Sequence, residues 1–268
     1  MSMNMSSEVL FLGTGAGDWQ QPIEDGFFRH QSCVLVDQDT LIDCPYHTLE
    51  SIEHFGKKAE DIAWLLITHS HGDHLCQATV DQLARRRLAA GRSPLTICAH
   101  RAIINRLQGI PAGFITLSHG QFFETDNYVI TPVEAMHTPT LPGETALHYL
   151  MKRRNGPTWL YATDGAWMTY PSWTIIRAHQ LDGWIVDATV GSISPGDLRI
   201  FEHNSVDMVR LMLQTFRRLN VIKKDAPVVL THLARTLHPA HEQLVRELEA
   251  PLLPARDGFS ITFEKMEN

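Results

Sequence analysis

Cysteine is scarce. Its four residues, Cys33, Cys44, Cys76 and Cys98, show no CxxC spacing, which argues against both a disulfide framework and a thiolate zinc cage and predicts reduced, buried thiols. Long apolar runs are missing as well: no stretch approaches the ~20 residues of a membrane span. The first ten residues, MSMNMSSEVL, have neither a basic start nor an apolar stretch of signal-peptide length. On this reading the protein is cytoplasmic and has no membrane partner. Basic residues are the minority charge, 23 Lys and Arg against 30 Asp and Glu for a net −7. A polyanion is repelled at long range, and nucleic acid is not an expected partner. Repeats, low-complexity tracts and Pro/Ser/Gly linkers are also lacking, so the 268 residues read as one domain, 1–268. With 44% hydrophobic and 20% charged residues, the chain has the composition of an ordinary folded protein.

What is present is a succession of short β-branched and aromatic runs: 9–12, 32–36, 40–43, 64–68, 95–99, 128–133, 146–152, 158–163, 183–187, 228–231 and 259–263. Apolar residues three and four apart predict helices over 75–90, 205–219 and 240–248. Strands come in hairpin-like groups with helices between the groups, so the fold class is mixed α/β, an α+β sandwich of two mixed sheets flanked by helices. Asn155 and Gly156 are expected to supply the positive φ values of one hairpin. The neighbouring Lys152, Arg153 and Arg154 read as its solvated tip rather than as an anion site.

Histidine is abundant, with 15 residues. The densest stretch is THSHGDH, where Thr68, His69, His71, Asp73 and His74 follow the apolar WLLI. Packing gives no reason for three histidines and an aspartate at this density, whereas a loop at a strand end can project all of them into one pocket. Gly72 is expected to permit the turn, and Asp73 and His74 to open the next helix. Three more chemistry-bearing residues end strand-like runs: His137 after YVITPVEAM, Asp164 after TWLYAT and His232 after PVVLT.

This ordered set resembles the metallo-β-lactamase superfamily, and the likeness runs from LGTGAG at Gly13 to Gly17, through LIDCP at Asp43, to LTH at His232. The resemblance implies an αββα fold. It also implies one metal ion held by His69, His71 and His137 and a second by Asp73, His74 and His232, with Asp164 bridging them. Imidazole and carboxylate without thiolate suit zinc, manganese or iron equally. Two divalent ions roughly 3.5 to 4 Å apart make a bridging hydroxide nucleophilic near neutral pH, so hydrolysis is the expected reaction. Asp164 stands where many β-lactamases place cysteine, which disfavours a lactamase. Only 36 residues follow His232, too few for the helical domain of glyoxalase-like thioesterases, and only 26 separate His137 from Asp164, leaving no room for the basic arm of tRNA-processing relatives.

FFRHQSCVLVDQDTLIDCP, the 62-residue gap from His74 to His137, and EHNSVD at Glu202 to Asp207 look most like the phosphoribosyl cyclic phosphodiesterases of phosphonate degradation. That resemblance implies a small, cyclic phosphodiester as substrate, a possible homodimer, and catalytic roles for Asp73, Asp164 and His203, the last as leaving-group acid. Asn204 or Ser205 could cap the following helix instead. The structural-zinc CxCxxC of that family is absent, because DWQQPIEDGFF at Asp18 to Phe28 has no cysteine.

Other residues carry less. LGTGAG is not a dinucleotide loop, since Asp18 breaks the GxGxxG spacing. Asp43 can orient a ligand histidine or merely end a turn. HPAHE at His238 to Glu242 reads as the start of a surface helix, and WMTYPSW at Trp167 to Trp173 as core packing. Another hydrolase on the same site, a lactonase or thioesterase, and a non-catalytic metal sensor or carrier stay open as alternatives.

Overall fold

The computed structural model describes residues 6–24, 26–191 and 198–266; Asp25, in the cysteine-free 18–28 segment, and residues 1–5 of the amino-terminal stretch lie outside them. Two seven-stranded sheets form the centre. The first has the order β14 (Ser260–Phe263), β1 (Ser7–Gly13), β2 (Cys33–Val36), β3 (Thr40–Ile42), β4 (Trp64–Leu66), β5 (Thr96–His100), β6 (Gly113–Leu117). The second has the order β13 (Leu252–Pro254), β12 (Val228–Thr231), β11 (Gly183–Asp187), β10 (Thr158–Ala162), β9 (Leu147–Arg153), β8 (Tyr128–Glu134), β7 (Phe123–Glu124). Each sheet has three antiparallel pairs on one side and three parallel pairs on the other.

Strand alternation makes the layers. In β1, Val9 and Phe11 face the second sheet while Leu10 and Leu12 face helices; in β10, Trp159 and Tyr161 face inward while Leu160 faces helices. Strands buried on both faces read as continuous apolar runs for this reason. Helices α1 (Thr48–His54), α2 (Gln77–Ala89) and α3 (Arg101–Leu107) lie over the first sheet. Helices α4 (Tyr170–Ile176), α5 (Val206–Arg218) and α6 (His241–Glu247) lie over the second. The sandwich expected from the sequence is therefore the one found. The cysteines are all free, three of them buried, and burial pushes the Cys98 thiol up to about 12. Among the described residues no helix is long and apolar enough to cross a membrane.

The differences from the expectations have local causes. Strand β13 follows Pro251 and ends in Pro254, β6 begins two residues after Pro111, and β7 has two residues, so none shows a readable alternation. Helices α1, α3 and α4 have seven residues each, too few for a periodic pattern. The WMTYPSW segment contains the start of α4: Thr169 caps it by accepting from Ser172 N at 3.3 Å. In the hairpin, the left-handed position is Asn155, at φ 57°. Gly72 does not take a left-handed φ, and α2 starts at Gln77, so Asp73 and His74 belong to a turn in which His74 N donates to His71 O at 3.0 Å.

Termini and loops are tied beside β1. Asp257 accepts from Thr14 Oγ1 at 2.7 Å and from His30 N at 2.6 Å, and its Oδ2 lies 3.1 Å from His30 Nδ1. That carboxylate raises the His30 pKa against the opposing effect of burial. A raised folded pKa gives stability that is complete below the unfolded value of ~6.5 and is lost as pH rises through the folded value. Denaturant midpoints should accordingly fall across that interval in the wild type and stay flatter in His30→Gln. A second expectation concerns Gly183, where an added Cβ would lie 2.2 Å from the ring of Phe263, itself 1% exposed and stacked on Trp159. Gly183→Ala should destabilise by about 1–3 kcal/mol in urea unfolding.

Candidate metal centre

The site lies where the two sheets meet, at the carboxyl ends of their parallel strands, where side chains leave the ladder and can converge. Strand β4 leads into Thr68 and His69; Asp164 lies two residues beyond β10, Asp187 is the last residue of β11, and His232 follows β12. Asp43, Asp164 and His232 have φ of 65°, 61° and 57°, so left-handed kinks turn these side chains out of the strand direction.

The seven ligand-type residues singled out in the sequence come together in two overlapping groups: His69, His71, His137, Asp164 and Asp73, His74, Asp164, His232. The donor atoms in each group lie within 4.8 Å of one another. Asp164 Oδ2 is the shared atom, 3.0 Å from His69 Nε2, 3.2 Å from His74 Nε2, 3.3 Å from His137 Nε2 and 3.8 Å from His232 Nε2. Asp73 Oδ2 lies 3.5 Å from His232 Nε2 and 3.7 Å from His74 Nε2. His69 Nε2 is buried without a hydrogen-bond partner. A buried, orphaned imidazole nitrogen amid a convergent nitrogen and oxygen donor set fits a divalent cation.

Two buried aspartates hold the ligands in register. Asp43, fully buried, accepts from Thr68 N at 2.8 Å, from Thr68 Oγ1 at 2.9 Å and from His74 Nδ1 at 2.8 Å. With the Thr68 hydroxyl donated to Asp43, His69 Nδ1–H donates to Thr68 Oγ1 at 3.0 Å, so that Nε2 of both His69 and His74 points into the cluster, the latter 3.2 Å from His232 Nε2. The second sheet repeats the device. Asp187, fully buried, accepts from Thr189 N at 2.9 Å and Thr189 Oγ1 at 3.0 Å, and His232 Nδ1–H donates to Thr189 Oγ1 at 2.7 Å. Asp187 was not foreseen; its place at a strand end, like Asp164 and His232, was the available signal.

Charge follows geometry. Burial pushes the Asp73 carboxyl up, but the facing His74 and His232 outweigh it and hold it below the usual carboxylate range. Burial lowers His137 to about 4 and also lowers His71, which keeps both imidazoles neutral near pH 7, the form that binds a cation. His203 stands at the rim, its Nδ1 2.9 Å from Asp164 Oδ1 and 3.2 Å from Asp187 Oδ2. Burial lowers its pKa, but these two carboxylates prevail and raise it to about 11. The helix cap is Ser205, which accepts from Met208 N at 3.1 Å, whereas Asn204 Oδ1 accepts from Trp167 N at 2.7 Å.

A cleft of about 290 Å³ opens on the cluster, with Arg199, Glu202 and Leu237 on its walls. The glycine loop forms part of the same wall: a Cβ at Gly17 would lie 2.9 Å from Asp73 Oδ2, so this loop gives Asp73 room rather than cradling a phosphate. HPAHE opens α6 as expected and lies outside the ligand groups.

A family described as the β-lactamase superfamily domain matches residues 39–233, which include all seven ligand-type residues. The chain belongs to the metallo-β-lactamase superfamily. Among its superfamily relatives, ribonuclease Z of Bacillus velezensis is 28% identical over 168 residues, 58% of this chain and 52% of that protein. The anti-Pycsar protein Apyc1 of Paenibacillus is 28% identical over 156 residues, 52% of this chain and 61% of that protein. The chain spans about half the length of the ribonuclease Z relatives it matches. In overall fold it is similar to a crystal structure of a diphosphatase from the PhnP family, with a TM-score of 0.73, 22% identity, and 97% and 98% of the two chains covered.

Because Asp43 sets the orientation of His74 and, through Thr68, of His69, Asp43→Asn should weaken metal retention by roughly 10 to 100-fold with the fold intact. Competition with a fluorescent chelator, alongside circular dichroism, measures both.

Proposed function

We propose that the protein is a metal-dependent phosphodiesterase acting on a small phosphodiester, with one ion held by His69, His71 and His137, a second by Asp73, His74 and His232, and Asp164 shared. The observation that carries this reading is the pair of overlapping donor groups centred on Asp164 Oδ2, with His203 held at their edge. Bound divalent ions supply a nucleophile near neutral pH and offset charge on a phosphoryl group. The chain's own contribution is orientation and proton placement. His203 sits 5.3 Å, ring to ring, from His137 and 5.5 Å from His232, within the rim of the cleft and outside both donor groups of the two-ion set. Asp187 fixes its Nδ1, so the other ring nitrogen is the one available to hold a proton for a departing alcohol. Asp73 and Asp164 serve as ligands that position the reacting centre. Arg199 adds a cationic side chain on the cleft wall, suited to an anionic substrate.

The resemblance of FFRHQSCVLVDQDTLIDCP and EHNSVD to cyclic phosphodiesterases supports a cyclic substrate, and the nitrogen and oxygen donor set suits zinc or manganese, with iron a further option. Ribonuclease Z relatives raise RNA as a second substrate. The net charge of −7 and the 26 residues between His137 and Asp164 favour a small molecule. We place this activity in a cytoplasmic protein and, on the same resemblance, in a homodimer.

Metal content and hydrolysis of bis(4-nitrophenyl) phosphate, followed on one sample before and after chelation, test the proposal. The expected result is near two ions per chain and turnover lost on chelation and restored by metal. Hydrolysis of lactones or thioesters in preference to phosphodiesters, or cleavage of a 3′-extended tRNA, would redirect it. Asp164→Ala should lose metal and turnover together. His203→Ala should retain metal and slow turnover by roughly 10²-fold or more, and unchanged turnover would remove the acid role.

A further inference from the structure

Among the described residues, seven that are not glycine take a left-handed backbone, and six have an evident reason. Asp37, Asn155 and Asn220 are turn residues of the types that tolerate this conformation. Asp43, Asp164 and His232 turn their side chains toward the ligand cluster. The seventh is Trp167, at φ 45°, three residues beyond Asp164. A left-handed bulky residue is an outlier that persists only when its surroundings impose it. Burial does not account for it, because Trp167 is 37% exposed.

What imposes it is the frame of the cluster itself. Trp167 N donates to Asn204 Oδ1 at 2.7 Å, and Asn204, 1% exposed, donates its own N to Asp187 Oδ1 at 3.0 Å. On the other side of the turn, Ala166 N donates to Met136 O at 3.1 Å, next to His137. The backbone that carries this exposed indole is thus held by the residues adjoining His203 and His137.

From there an apolar groove of about 280 Å³ runs between α4 and α5, walled by Trp167, Met168, Trp173, Leu211 and Phe216. The groove and the cleft have separate linings; Trp167 links them through its bond to Asn204, the neighbour of His203, and at 1.5 Å per residue Leu211 lies about 9 Å along the helix axis from the Ser205 cap. Its floor is aromatic: Trp173 stacks on Phe216 at 5.5 Å, and Phe216 on Trp184 at 5.0 Å. No charged side chain lines it, and the hydroxyl of Thr215 is engaged with Leu211 O at 3.3 Å. Three of its seven lining residues, Trp167, Trp173 and Phe216, are aromatic, which suits a ring.

We propose that Trp167 is a specificity-determining residue, and that the substrate is a phosphodiester in which one esterified alcohol carries a planar aromatic ring that docks on Trp167 while the phosphoryl group lies at the ligand cluster. This rests on the phosphodiesterase reading and adds to it the chemistry of the substrate's remote part.

The test uses phosphonates that share one headgroup. Calorimetric affinities of the metal-loaded protein are measured for methyl-, butyl- and benzylphosphonate, in the wild type and in Trp167→Ala, Trp167→Phe and Trp167→Gly. Benzylphosphonate should bind about tenfold more tightly than the other two in the wild type. Trp167→Ala and Trp167→Gly should abolish that preference and leave methylphosphonate affinity within about twofold, while Trp167→Phe keeps most of it. Trp167→Gly, which accepts the left-handed backbone freely, should be no less thermally stable than Trp167→Ala, separating loss of a ring partner from loss of fold. Equal affinity for benzyl and methyl, equal affinity for benzyl and butyl, or a benzyl preference that survives Trp167→Ala would each overturn the inference. If bis(4-nitrophenyl) phosphate is still hydrolysed in those cases, only this inference falls; absence of turnover on any phosphodiester removes the reading beneath it.

Discussion

The arrangement depends on two buried carboxylates with no route to water. Asp43 and Asp187, each fully buried, are tolerable only because their oxygens are met by hydrogen-bond donors from the backbone, a threonine hydroxyl and an imidazole. That requirement runs outward as geometry. Each carboxylate fixes a threonine, each threonine fixes a histidine Nδ1, and each histidine turns Nε2 inward. The two sheets use the same relay from opposite sides, so the inward direction of these Nε2 atoms is built into the fold.

Much of this was legible in the sequence where chemistry is dense and local. THSHGDH announced itself because no packing argument explains it, and His137, Asp164 and His232 were recognisable through the apolar runs that precede them. Continuous apolar strands gave the sandwich. What stayed hidden was whatever depends on contacts far apart in the chain. Asp187 looks like any aspartate after a strand, and only the return of the chain through His203, Asn204 and His232 gives it partners. Helices α1, α3 and α4 are too short to show a period, and their stability comes from the sheets beneath them rather than from propensity.

Trp167 illustrates the same limit from another direction. A sequence containing WMTYPSW suggests core packing, and Trp173 does pack on Phe216. A backbone dihedral has no sequence signature at a tryptophan, so the conformation that separates Trp167 from its neighbours becomes visible only in three dimensions. LGTGAG was similarly ambiguous: its glycines matter for the space they leave around Asp73, Trp19 and the Gln31 carbonyl, not for nucleotide recognition.

The donor set is also divided between the sheets. His69, His71, Asp73 and His74 follow β4 of one sheet, whereas His137, Asp164 and His232 follow β8, β10 and β12 of the other. Neither half alone can complete either donor group, since each group takes two residues from each sheet. Cations seated there would act as a rivet across the seam. Removing them through the open cleft would take away one of the links that join the two sheets at this end, so resistance to unfolding, and not only turnover, would follow metal occupancy.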